Sequence, residues 1–110
     1  MNVYDTANRL AQEIRESNEY IQYKKVKEEI NSNVEYKKKI DEFESLRYKM
    51  QVNQMQGIEV SKDEQDKLES EYADIQKEAK IKEYFDAEMR FNVLLTDVNR
   101  IIAEAVKDVL

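Results

Sequence analysis

Residues 54–68, QMQGIEVSKDEQDKL, hold the only glycine of a 110-residue chain that contains no proline. A helix end leaves carbonyls unpaired, and a left-handed residue just beyond it recruits N–H groups to them. Glycine takes that conformation without steric penalty, so Gly57 predicts the end of a helix running to Gln56. Ile58 is placed to fold back on Val52, the apolar contact that often accompanies such a stop. Ser61 comes next, with Glu64 at the spacing of a capping box, in which each side chain satisfies the other's backbone N–H. Stop, short loop and start predict a helical hairpin.

Working back from the turn, Tyr36, Ile40, Phe43, Leu46 and Met50 repeat at helical spacing and predict a helix over residues 33–56. Ser32 and Glu35 have capping-box spacing at its start. Tyr23, Val26 and Ile30 mark one face of a helix over 18–31, and Val3, Ala7, Leu10 and Ile14 mark one over 3–16. Asn2 is a cap for the first helix, and Ser17 with Asn18 and Glu19 reads as a stop and a new start.

Working forward, Leu68, Tyr72, Ile75 and Ala79 share one face, followed by Tyr84, Ala87, Phe91, Leu94, Val98, Ile101 and Ala105 at a seven-residue repeat. The five-residue step from Ala79 to Tyr84 fits neither phase. It predicts one long helix over 61–108 with a kink, rewinding or short break near Lys80–Glu83. Unbroken, that helix would be about 70 Å long. Phe85, Leu95, Ile102, Val106 and Val109 lie beside the main stripe, and two adjoining stripes call for more than one neighbour. A second copy of the chain is the expected source of cover.

Composition agrees. Apolar residues make up 41% and charged residues 38%, and a sheet protein would need turn residues at short intervals. The expectation is a single all-α domain over 1–110: a long antiparallel helical hairpin with two shorter N-terminal helices, in an oligomeric bundle. Such a chain buries about 60–68% of its unfolded surface, so association would add useful stability. With no cysteine there is no disulfide framework and no thiolate metal site. The N-terminus shows no signal-peptide pattern, and FNVLL, the densest apolar run, is far short of a membrane span. The chain is read as cytoplasmic, without a membrane partner.

Chemistry is sparse. Histidine is absent, which removes the usual proton shuttle at neutral pH. The carboxylates in DEFE (41–44) and KDEQD (62–66) read as solvated faces, the arginines are scattered, and no calcium-loop spacing follows from Asp63. No catalytic, cofactor-binding or metal-binding residue is assigned, and no cofactor is expected. Lys24, Lys25, Lys27, Lys37, Lys38 and Lys39 surround Tyr20, Tyr23 and Tyr36, an arrangement able to grip a nucleic-acid backbone. The net charge of −6 disfavours that reading, and it stands as the alternative: an RNA-associated accessory protein using the Lys24–Lys39 segment. Residues 59–74 hold seven acids against Lys62 and Lys67, an asymmetry suited to orienting an acidic arm against another subunit.

The QMQGIEVSKDE turn, the opening VYDTANRLAQEIRESNEYIQYKKVKEEI and the later KIKEYFDAEMRFNVLLTDVNRII together resemble the bacterial YlbF/YheA/YmcA-like family of small helical proteins. The similarity covers nearly the whole chain. It implies an all-helical fold, self-association, a cytoplasmic location in Gram-positive bacteria and no enzymatic activity. One branch of that family comprises regulatory adaptors for competence, sporulation and biofilm formation, with cysteines that hold an iron–sulfur cluster. This chain has no cysteine, so that cofactor does not carry over, and the YheA-like branch is the closer match. The expected role is a non-catalytic adaptor that binds itself, as a homodimer or higher oligomer, and other proteins. Tyr84, Phe91, Leu94, Val98 and Ile101 are its interface candidates, with Gly57, Ser61 and Glu64 shaping the turn.

Overall fold

A computed structural model describes residues 2–110, and among them every regular element is a helix. They are α1 (Val3–Glu16), α2 (Asn18–Asn31), α3 (Val34–Met55), α4 (Lys62–Gln76) and α5 (Ala79–Val106). The single domain expected from length resolves into two compact units. One comprises the chain up to Lys27 with Tyr84–Leu110, and the other comprises Glu28–Glu83.

Short side chains set the helix boundaries. The Asn2 side chain accepts from the Asp5 N–H at 2.9 Å and caps α1. Ser17 serves two helices: its hydroxyl donates to the Ile14 carbonyl at 2.6 Å and accepts from the Tyr20 N–H at 3.2 Å. The start of α3 differs from expectation. Asn33, not Ser32, is its cap, accepting from the Tyr36 N–H at 3.0 Å. The Ser32 hydroxyl instead donates back to the Glu28 carbonyl in the last turn of α2. Asparagine and serine cap comparably well, so the neighbouring backbone decides which one does so.

Gly57 ends α3 at φ +76°. The Ile58 N–H reaches the Asn53 carbonyl at 2.8 Å and the Gly57 N–H reaches Gln54 at 3.1 Å, the paired bonds of a Schellman stop. Ser61 then caps α4, accepting from the Glu64 N–H at 3.1 Å. A Cβ on residue 57 would meet no atom within 4 Å, so the need for glycine is purely conformational. Gly57→Ala is therefore expected to cost about 1 kcal/mol through the left-handed backbone alone. Gly57→Asn should cost less, as thermal melts of both variants will show.

The expected helix over 61–108 is two helices, parted at Lys77 and Glu78, a few residues before Lys80–Glu83. The cause is phase. Ile75 and Ile81 are both buried, at 1% and 0% exposure, yet a step of six turns an unbroken helix through about 240°. Breaking the helix lets each isoleucine face inward. Three ion pairs within the second unit then flank the break. Lys39 meets Glu78 at 3.3 Å, and Lys80 meets Glu29 at 2.6 Å and Glu83 at 3.2 Å. Hydrogen bonds from Lys80 to Glu29 and then Glu83 hold its ammonium above the ordinary 10.5.

In the second unit Ile30, Ile40, Phe43, Ile75 and Ile81 are buried. Phe43 packs on Tyr72 of α4 with ring centres 5.9 Å apart, and Arg47 lies over the Phe43 ring. In the first unit Val26, Tyr84 and Ala87 are buried. No helix among the described residues is long and apolar enough to cross a membrane.

Candidate interaction surface

The seam of α5 begins as a core and ends as a surface. Tyr84 and Ala87 are buried, while Phe91, Leu94 and Val98 are half-buried. Aromatic rings of α2 cover the first part. Tyr20 lies 5.9 Å from Phe91, and Tyr23 lies 5.7 Å from Phe91 and 5.9 Å from Tyr84. The Tyr23 hydroxyl donates to Glu88 at 3.3 Å, which gives the phenol a polar exit from an apolar contact. Past Val98 the cover stops: Ile101 is 63% and Ile102 52% exposed, and Val106 and Val109 are exposed as well.

Charge marks which side of α5 is meant for water. Arg100 pairs with Asp97 at 3.8 Å and Lys107 with Glu104 at 3.2 Å, each one turn apart. At 100° per residue Arg100 and Lys107 project opposite the seam, and Asp97 and Glu104 flank it. The seam face itself, through Phe91, Leu94, Leu95, Val98, Ile101, Ile102, Ala105, Val106 and Val109, carries no charged residue. Helix α1 repeats the pattern in smaller form. Its stripe of Val3, Ala7, Leu10 and Ile14 contains no buried residue, and Val3 is fully on the surface side.

Of the other sequence candidates, Gly57, Ser61 and Glu64 gather at the α3–α4 turn, within the other unit. Lys24, Lys25 and Lys27 lie in the first unit and Lys37, Lys38 and Lys39 in the second. Lys39 is taken up by Glu78, and Lys27 sits 5.5 Å above the Tyr23 ring. Tyr23 in turn spends its faces on Tyr84 and Phe91.

A helical chain of this length with a glycine-stopped hairpin and this apolar α5 has relatives. The sequence profile described as control of competence regulator ComK, YlbF/YmcA, matches residues 3–107. The chain belongs to the YlbF/YmcA family. Among curated proteins, it is 34% identical to a UPF0342 protein of Alkalihalophilus pseudofirmus over 98% of this chain and 92% of that one. A UPF0342 protein of Halothermothrix orenii is 37% identical over 93% of this chain and 86% of the relative. Among solved structures, a DUF964 protein from Bacillus stearothermophilus superposes with a TM-score of 0.80 at 19% identity, covering 96% and 93% of the two chains. The yheA protein of Bacillus subtilis gives 0.68 at 22% identity over the full length of both. These two share the YlbF/YmcA fold with this chain, in keeping with the YheA-like resemblance read from the sequence.

Proposed function

We propose that this YlbF/YmcA family member is a non-catalytic, cytoplasmic adaptor that self-associates through the C-terminal half of α5. The observation that carries the reading is the seam that loses its cover at Ile101 while staying free of charge to Val109. An apolar helical face with no charges selects a partner by shape and burial, at roughly 25 cal/mol per Å² removed from water. A second copy offers the same face, as an isologous contact requires. The first unit also carries nine carboxylates against eight basic side chains, so two such units meet with little repulsion.

The family's link to competence control fits an adaptor that presents helical faces to regulatory proteins. A chain with neither histidine nor cysteine has little with which to run acid–base or nucleophilic chemistry at neutral pH. Nucleic-acid binding finds less support, since the lysines are divided and partly engaged and the chain is acidic.

The test is Ile101→Asp combined with Ile102→Asp. Both side chains are exposed in one chain, so the pair should keep the helical content of the single chain while sedimentation shifts to a monomer or smaller species. Unchanged sedimentation at working concentrations would overturn the proposal.

A further inference from the structure

Helix α5 runs on well past the end of its cover. Tyr84 and Ala87 are buried, and Phe91, Leu94, Leu95 and Val98 are half-buried, but every residue from Asn99 to Leu110 is exposed. The last stretch of the helix, residues 99–106, therefore keeps its backbone hydrogen bonds without burying a side chain. Most helical stability in proteins comes from packing an amphipathic face, and a helical run this short is marginal in water without it. The packed part of α5 spares this run the cost of nucleation, so its balance rests on its own residues.

Those residues do not tip the balance firmly toward helix. Asn99, Ile101, Ile102 and Val106 are weak helix formers, set against Arg100, Ala103, Glu104 and Ala105. Nothing closes the end. Gly57 holds the only positive φ among the described residues, so α5 has no left-handed stop. Its last turn carries no basic residue, while Glu104, and Asp108 just beyond, place negative charge at the negative end of the helix dipole. Lys107 meets Glu104 at 3.2 Å, but both side chains are largely exposed and the pair adds little.

We infer that residues 99–106 form an arm that opens in the single chain and becomes a stable helix only when a partner copy covers Ile101, Ile102 and Val106. The inference rests on the α5 reading of function and adds its conformational control, since the arm orders at the moment of contact. Ordering costs free energy that the apolar seam must offset. Association then responds to helix propensity at positions that touch no partner. Arg100 is such a position, because it projects opposite the seam. The stretch from Tyr84 to Phe91, under the Tyr20 and Tyr23 rings, stays closed throughout.

Hydrogen exchange followed by mass spectrometry reads the arm directly. In the full chain, diluted until sedimentation gives a single copy, the amides of 99–106 should exchange at least about a hundredfold faster than those of 84–91. Where copies associate, 99–106 should slow by at least about tenfold and 84–91 should change little. A second measurement compares Arg100→Gly with Arg100→Ala, which lose the same charge and the same pair with Asp97. The glycine variant should associate up to about fivefold more weakly per chain, its propensity loss of about 1 kcal/mol taken at about 1.4 kcal/mol per tenfold. A helix already firm in the single chain would lose that amount in both states, and the two variants would associate alike. Equal protection of the two segments in the single chain, or equal association of the two variants, would overturn the arm even where Ile101→Asp with Ile102→Asp breaks up the assembly. If that pair leaves sedimentation unchanged, the α5 contact itself fails, a result told apart by the single-chain exchange, which does not depend on it.

Discussion

Ile81→Ala should lower the stability of the folded chain by about 2–4 kcal/mol, the range for truncating a buried isoleucine where the site only partly collapses. Ile81 is wholly buried, and it lies two residues into α5, just after the break. Its burial is the reason for the break, so the loss falls on the element that fixes how α4 ends and α5 begins. Ile81→Val removes one methylene and should cost only about 1 kcal/mol. Urea titration followed by far-ultraviolet circular dichroism gives both values. The chain has two compact units, so two transitions can separate; the one belonging to Glu28–Glu83 is then the one that must move. Equal stability of Ile81→Ala and the parent would mean that Ile81 is solvated in solution and that the phase argument for the break fails.

That break shows where sequence reading stops. The five-residue step from Ala79 to Tyr84 signals a disturbance, but periodicity treats Ala79 as an inward position. In the structure Ala79 is exposed and Ile81 takes the buried place. A small residue fits either face, so the pattern locates the fault to within a few residues and no better. Gly57 was legible for the opposite reason. Only one residue type tolerates φ +76° without strain, and only one such residue exists in the chain. The same contrast separates the caps: Asn2 and Ser61 stand alone at their helix starts, while Ser32 and Asn33 compete for one. The seam of α5 was readable as a stripe from its seven-residue repeat. Where its cover ends was not, because that depends on how far α2 reaches along it.

The second large effect is expected at Phe91, where cover and seam meet. Phe91→Ala should cost about 2–4 kcal/mol, somewhat below a fully buried phenylalanine because the ring is only half-buried. The loss comes from two ring contacts on α2, Tyr20 at 5.9 Å and Tyr23 at 5.7 Å. Tyr23 is the better anchor of the two. It also touches Tyr84, donates to Glu88 and carries Lys27 above its ring. A double-mutant cycle of Phe91→Ala with Tyr23→Ala should therefore show a coupling of about 0.5–1.5 kcal/mol, the worth of an aromatic pair beyond its buried area. Strict additivity would mean that the rings are merely adjacent. Because the α2 aromatics hold the start of the seam in place, Phe91→Ala should also weaken self-association, although Phe91 precedes the exposed stretch. Ile101→Asp with Ile102→Asp should differ, losing association while keeping the ring contacts and the helical content of the single chain. The two variants together thus separate what builds the first unit from what it presents to a partner.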